Sequence, residues 1–168
     1  MFKKLECFDL PRDIIGELSR NWALLSAGNS ESFNMMTVSW GSFGFIWGSP
    51  SLTVFVRPQR FTMSFMEKSQ NFALSFFPPE FKESLALCGS KSGRDIDKLA
   101  QSKLNAWFTP SGTPAFKEAK LVIEAQKIYQ QDIDLKSFID ESLPAKWYPG
   151  GDFHKAFTGR ICGIWTKD

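Results

Sequence analysis

From Ser32 to Val56 the chain reads SFNMMTVSWGSFGFIWGSPSLTVFV, 25 residues without a charge, and Arg57-Pro58-Gln59-Arg60 follows at once. An uncharged run of that length is long enough to cross a bilayer as a helix. Its content argues against that. Asn34, Thr37, Ser39, Ser42, Ser49, Ser51, Thr53, three glycines and Pro50 are a heavy polar and helix-breaking load for a lipid-facing helix, and Gly48-Ser49-Pro50 is a turn signal. The run predicts strands and a connection, and with them a sheet protein.

The rest of the chain fits that reading. Strands are expected at Trp22–Ala27, Met36–Trp47, Ser51–Val56, Asn71–Phe77, Leu121–Ile128 and Gly159–Trp165. Gly41 and Gly44 inside the second of these suggest a bulge or corner. Phe61–Lys68 predicts a short helix, with Phe61 and Phe65 one turn apart. Glu80–Ala100 predicts two helical pieces separated by Gly89–Gly93. Trp107–Pro114 and Leu143–Gly151 are expected as loops. Many short strands with few helices argue for a mostly β, antiparallel barrel over residues 1–168, a single domain's worth of chain.

Charge and cysteines narrow the function classes. Twenty basic residues against 18 acidic ones give a net charge of +2, too little for a broad nucleic-acid surface. Cys7, Cys88 and Cys162 are odd in number and far apart, with no metal-binding spacing and a single histidine, so reduced thiols in a cytoplasmic protein are expected and a zinc site is not. The N-terminus has no apolar segment of the secretory kind. The 17 Phe and 6 Trp can build a core or line a site for a flat ligand.

Four segments carry candidate chemistry. Alternation along Asn34-Met35-Met36-Thr37-Val38-Ser39-Trp40 sets Asn34, Met36, Val38 and Trp40 on one side and Met35, Thr37 and Ser39 on the other. Their amide and hydroxyls can bond a polar ligand edge, or equally the neighbouring backbone. Arg57 and Arg60, followed by Phe61 and Thr62 at a helix start, suit a phosphate, since guanidinium forks match its oxygens and a helix start supplies N–H groups. Two solvated loop arginines would look the same. Neither GxGxxG nor a Walker A loop is present. Ser90-Lys91-Ser92-Gly93-Arg94-Asp95 is a second basic turn able to complete such a clamp. Finally, Gly150-Gly151-Asp152-Phe153-His154 carries the lone histidine, with Trp147-Tyr148 upstream. No hydrolase triad accompanies it, and a histidine bonded to backbone is the plainer alternative.

Together, NMMTVSWGSFG, RPQRFT, EKSQNFALSFF, SGRDIDKL and GGDFHKAFTGRI resemble the flavin reductase-like family, the FMN-binding split-barrel proteins that include flavoredoxins, from about Trp22 to Trp165. The resemblance implies a six-stranded antiparallel split barrel forming a homodimer, with FMN near the interface. Carried over by position, Asn34, Met36, Thr37, Val38 and Ser39 would lie along the isoalloxazine and ribityl chain. Arg57, Arg60, Phe61 and Thr62, helped by Lys91 and Arg94, would hold the phosphate, and Trp40, Trp147 and Tyr148 would lie close to the flavin. His154 falls where related reductases carry Gly-Asp-His on the nicotinamide side, but here Phe153 is inserted between Asp152 and His154.

The resemblance further implies electron transfer from NAD(P)H through FMN to free flavin or another acceptor. The cofactor supplies the redox chemistry, Thr37, Ser39 or backbone N–H groups supply donors to the flavin, and His154 orients the donor or shuttles a proton. A flavoredoxin-like carrier served by a redox partner protein and a non-catalytic dimeric barrel are the alternatives.

Overall fold

The computed structural model describes residues 1–167. Its principal sheet contains β1 (Lys3–Leu5), β2 (Ala23–Gly28), β3 (Phe33–Val38), β4 (Gly41–Ile46), β5 (Ser49–Val56), β6 (Asn71–Phe76), β9 (Leu121–Asp132) and β10 (Lys155–Thr166). They run antiparallel in the order β3-β2-β6-β9-β10-β5-β4, and β1 also pairs with β10. A separate hairpin is formed by β7 (Ala106–Phe108) and β8 (Pro114–Phe116). The helices are α1 (Ile14–Gly16, continuing as a π-turn through Asn21), α2 (Thr62–Lys68), α3 (Lys82–Ser90), α4 (Lys98–Ser102) and α5 (Ser142–Trp147).

One face of the long sheet encloses the main core. Leu25, Met36, Val38, Leu52, Val54, Phe72, Leu74, Ile123, Phe157 and Ile164 meet there, contributed alternately from six strands. Full burial of each large side chain is worth roughly 1.5–3 kcal/mol, which makes this inward row the chief reason the sheet closes on itself. A second cluster, with Leu24, Met35, Phe116, Val122 and Trp165, lies on the other face beneath α3 and the β7–β8 hairpin.

In the principal sheet the six expected strands become eight for two reasons. The run read as one strand from Met36 to Trp47 is two, because the chain turns a corner at Ser39-Trp40 and β3 and β4 end on opposite edges of the sheet. The charged N-terminus, in which no strand was expected, adds β1 by pairing Lys3 to Leu5 with Thr166 to Ile164. The turn expected at Gly48-Ser49-Pro50 lies one residue earlier. Trp47 (φ 49°) and Gly48 (φ 72°) are both left-handed, the signature of a two-residue hairpin, and Ser49 already pairs with Ile46.

Both expected loops contain regular structure. Thr109, Ser111 and Thr113 all donate hydroxyls to Oε1 of the buried Glu124, which ties the β7–β8 loop to β9. The Leu143–Gly151 segment begins within α5. No helix among the described residues is long and apolar enough to cross a membrane.

Candidate functional site

The predicted residues divide into two networks joined by the segment Arg57-Pro58-Gln59-Arg60, which leaves β5 and leads into α2.

The first network is built where β3 meets α2 and the α3–α4 connection. Asn34, buried on β3, donates from Nδ2 to Thr62 Oγ1 at 2.9 Å. Gly93 lies against the same amide: a Cβ there would stand 2.4 Å from Asn34 Oδ1 and 3.1 Å from the Phe61 ring, so only glycine allows this approach. The Arg94 guanidinium covers the Phe61 ring at 4.9 Å and donates to the Gln59 carbonyl at 3.2 Å. A cleft of about 350 Å³ opens here, lined by Ser32, Asn34, Phe61, Gly93 and Lys98 among others.

Beneath it lie two further cations. Arg60 donates to the carbonyls of Gly89 (2.7 Å) and Cys88 (3.4 Å) at the end of α3. Lys98, only 5 % exposed, donates to the carbonyls of Cys88 (2.8 Å) and Met35 (2.9 Å). None of the salt bridges among the described residues includes Arg60, Lys91, Arg94 or Lys98. Two acids also line the cleft: Asp97 caps α4 by accepting from the Ala100 N–H, and Glu31 is exposed. Burial, with the Arg60 charge adding to it, lowers the Lys98 ammonium to about 8. Lys98 in the cleft wall, with Arg60 behind it and Arg94 on the Phe61 ring, has no carboxylate partner among the described residues, and these cations are available to an anion.

The second network faces the corner between β3 and β4. Arg57 pairs with Asp152, donates to the Trp147 carbonyl at 2.9 Å and lies 5.3 Å from the Tyr148 ring centre. Gln59 donates to the same Asp152 oxygen at 2.7 Å. The hydrogen bonds from Arg57 and Gln59 hold the Asp152 carboxyl below its usual range. His154, 8 % exposed, shares a 2.9 Å hydrogen bond between Nδ1 and the Tyr148 hydroxyl. Trp40 contacts both His154 and Trp147 at 5.1 Å between ring centres. Burial, followed by the Arg57 charge and opposed by Asp152, pushes His154 down to about 4, so the ring is neutral at pH 7. Ser39, Trp40, Phe55 and Tyr148 also line an apolar groove of about 380 Å³.

Several predicted side chains are engaged elsewhere. Met36 and Val38 point into the barrel core, so on this stretch β3 offers backbone rather than those side chains. The Thr37 hydroxyl donates to the Leu85 carbonyl and fastens α3 to β3. The start of α2 has less to offer than expected, because the N–H groups of Met63 and Ser64 already bond the carbonyls of Arg60 and Phe61. Lys91 is exposed at the end of α3 and joins neither network.

The profile of the flavin reductase like domain matches residues 15–168, most of the chain. The chain belongs to the flavin reductase-like family. Among solved structures, this flavin reductase-like protein is similar to an FMN-binding protein from Thermus thermophilus with bound p-hydroxybenzaldehyde (24% identity, TM-score 0.68, covering 88% of this chain and 71% of that one). It is likewise similar to a flavoredoxin from Methanosarcina acetivorans (19%, TM-score 0.68, 88% and 69%) and to an NADH:FAD oxidoreductase from Streptomyces globisporus (13%, TM-score 0.65, 88% and 75%). At these identities the likeness establishes the split-barrel fold alone. A search of curated proteins finds no match.

Sequence reasoning about this flavin reductase-like protein missed Lys98, Gln59 and Asp152 as site-building residues. Lys98 left one signal. With Asp97 as N-cap it occupies the first position of α4, where the helix dipole disfavours a cation unless something else requires it.

Proposed function

We propose that this chain binds FMN and passes electrons from NAD(P)H through the flavin to a free flavin or another acceptor. The observation that carries the proposal is a cleft with Lys98 in its wall and Arg60 and Arg94 close by, none of them in a salt bridge among the described residues, one short segment away from an aromatic wall with a neutral histidine. The cleft fits the phosphate end of FMN, with Arg94 and Lys98 as donors, Asn34 and Thr62 beside them and Gly93 giving room for close approach. The β3 backbone from Asn34 to Ser39 would border the flavin, while Trp40, Trp147 and Tyr148 shield one side from water.

Bound flavin supplies the hydride-accepting chemistry; the chain's residues supply position and electrostatics. Arg57 supports the histidine side by fixing Asp152 and the Trp147 carbonyl. Neutral His154 is suited to orient a nicotinamide by hydrogen bonding.

A homodimer and a cytoplasmic setting belong to the same reading. Exposed Phe8, Phe45, Ile46, Trp47 and Tyr129 cluster around the β4–β5 turn and suit a second copy, and three unpaired cysteines suit a reducing compartment. The second reading, a flavoredoxin-like carrier served by a partner protein, is favoured by one feature. The Asp152 carboxylate is held by Arg57 and Gln59 rather than free for a nucleotide.

An absorbance spectrum before and after anaerobic NADH or NADPH tests both readings. A yellow protein that bleaches supports the reductase, and a yellow protein that neither nucleotide bleaches supports the carrier. A colourless protein that takes up no added FMN removes both.

A further inference from the structure

The bond between Tyr148 and His154 has a direction that the surroundings decide. Both residues are 8 % exposed, and the 2.9 Å contact joins the phenol oxygen to Nδ1. Burial raises the phenol above its ordinary range, so at neutral pH it retains its hydrogen. Nδ1 is the only hydrogen-bond partner of that hydroxyl among the described residues. If Nδ1 were the donor, the phenol hydrogen and the Nε2 lone pair would both lack a partner among the described residues, against the Nε2–H alone in the reverse arrangement. The phenol therefore donates, Nδ1 accepts, and the ring proton resides on Nε2.

Nε2–H has no acceptor among the described residues. The groups around the ring leave it none: Arg57 is turned to Asp152 and the Trp147 carbonyl, Asp152 to Arg57 and Gln59, and Trp40 and Phe55 present aromatic surface. The Tyr148 ring is itself fixed, 4.7 Å from Phe153 and 6.2 Å from Phe138 between ring centres. The inserted Phe153 thus helps hold the tyrosine.

We propose that Tyr148 is a positioning residue that fixes the Nε2–H tautomer of His154, making the histidine a neutral donor to a carbonyl or carboxamide oxygen of the electron-donating substrate rather than a carrier of protons. The inference rests on the reading of His154 as part of the flavin site. Tyr148 acts through the imidazole.

Because His154 is the only histidine, its tautomer is directly measurable. In protein with ¹⁵N-labelled histidine, Nδ1 is expected to resonate as an unprotonated nitrogen and Nε2 as an N–H, unchanged from pH 8 to pH 5. Tyr148→Phe keeps the ring packing and is expected to mix the tautomers, raise the titration midpoint and raise KM for NADH roughly five- to tenfold with little change in kcat. His154→Gln retains an N–H donor but no titrating group; it is expected to keep turnover within a few-fold, whereas His154→Leu loses NADH affinity.

A protonated Nδ1 in the wild type overturns the proposal. So does a Tyr148→Phe variant with unchanged tautomer and KM, or equal losses in the Gln and Leu variants. Protein that binds no FMN would remove the functional reading, and the nitrogen spectra would still decide the tautomer.

Discussion

Lys98 Nζ and Arg60 Nη2 donate to the same atom, the carbonyl oxygen of Cys88, at 2.8 and 3.4 Å. Two cations on one acceptor, without an acid in their salt-bridge reach among the described residues, repel each other and gain from any anion brought near. The arrangement is understandable as half of a binding interaction.

FMN affinity should accordingly depend on pH. Lys98 titrates near 8, so its charge is present below that value and is lost as pH rises through it. Isothermal titration at pH 7 and pH 9.5 is expected to give weaker binding at the higher pH. Lys98→Met should weaken binding at pH 7 by on the order of ten- to a hundredfold, equivalent to roughly 1.5–3 kcal/mol for one charge-assisted bond, and flatten the profile. Equal affinity at both pH values in the wild type would argue against Lys98 at the phosphate.

Arg60 has a structural duty as well, since its guanidinium closes the last carbonyls of α3. Arg60→Ala is therefore expected to lower stability by roughly 1–3 kcal/mol in urea melts, besides weakening FMN. Arg60→Lys, keeping one donor, should recover part of both. A variant with wild-type stability would restrict Arg60 to ligand binding.

Gly93 should tolerate no side chain. A Cβ directed at Asn34 Oδ1 from 2.4 Å forces the amide away from Thr62. Gly93→Ala is expected to cost roughly 1–3 kcal/mol and to weaken FMN together with it. Unchanged melts and affinity would mean that the 92–94 turn yields freely.

His154 makes the fold sensitive to acid in a defined window. Its folded pKa, about 4, lies below the ordinary 6.5, so the unfolded chain binds the extra proton between those values. Stability from this group is full above about pH 6.5 and is lost as pH falls toward 4, by at most on the order of 3 kcal/mol. Chemical denaturation at pH 7.5 and 5 is expected to show that loss in the wild type and less of it in His154→Gln. Matching slopes would assign the acid sensitivity to carboxylates instead.

How far these features were legible depended on the kind of information involved. β2, β5 and β6 were readable as short apolar runs bounded by turn residues and prolines, a local signal that survives even where both faces of the strand are buried, as in β2 and β6. The corner at Ser39-Trp40 was not, because the residues on both sides keep strand composition and only the closure of the sheet separates them. β1 owes its existence to pairing with β10, 160 residues distant, and carries no apolar signal of its own. At the site, Asn34 meets Thr62 and Arg94 covers Phe61, contacts between segments distant in sequence that the motifs name without placing. Met36 and Val38 illustrate a second case. Strand alternation groups residues by face without saying which face is the core. Lys98 and Asp152 acquire their roles from partners in distant segments, which spacing alone does not reveal.

The segment from Arg57 to Arg60 sends its first guanidinium to the histidine network and its last to the end of α3. Four covalently linked residues thereby act as a gauge block between the two halves of the site, with Pro58 limiting their play. The span between the cleft and the aromatic wall is consequently a machined dimension of the chain, and lengthening this block by one residue would leave each half intact yet mismatched to any ligand that must touch both.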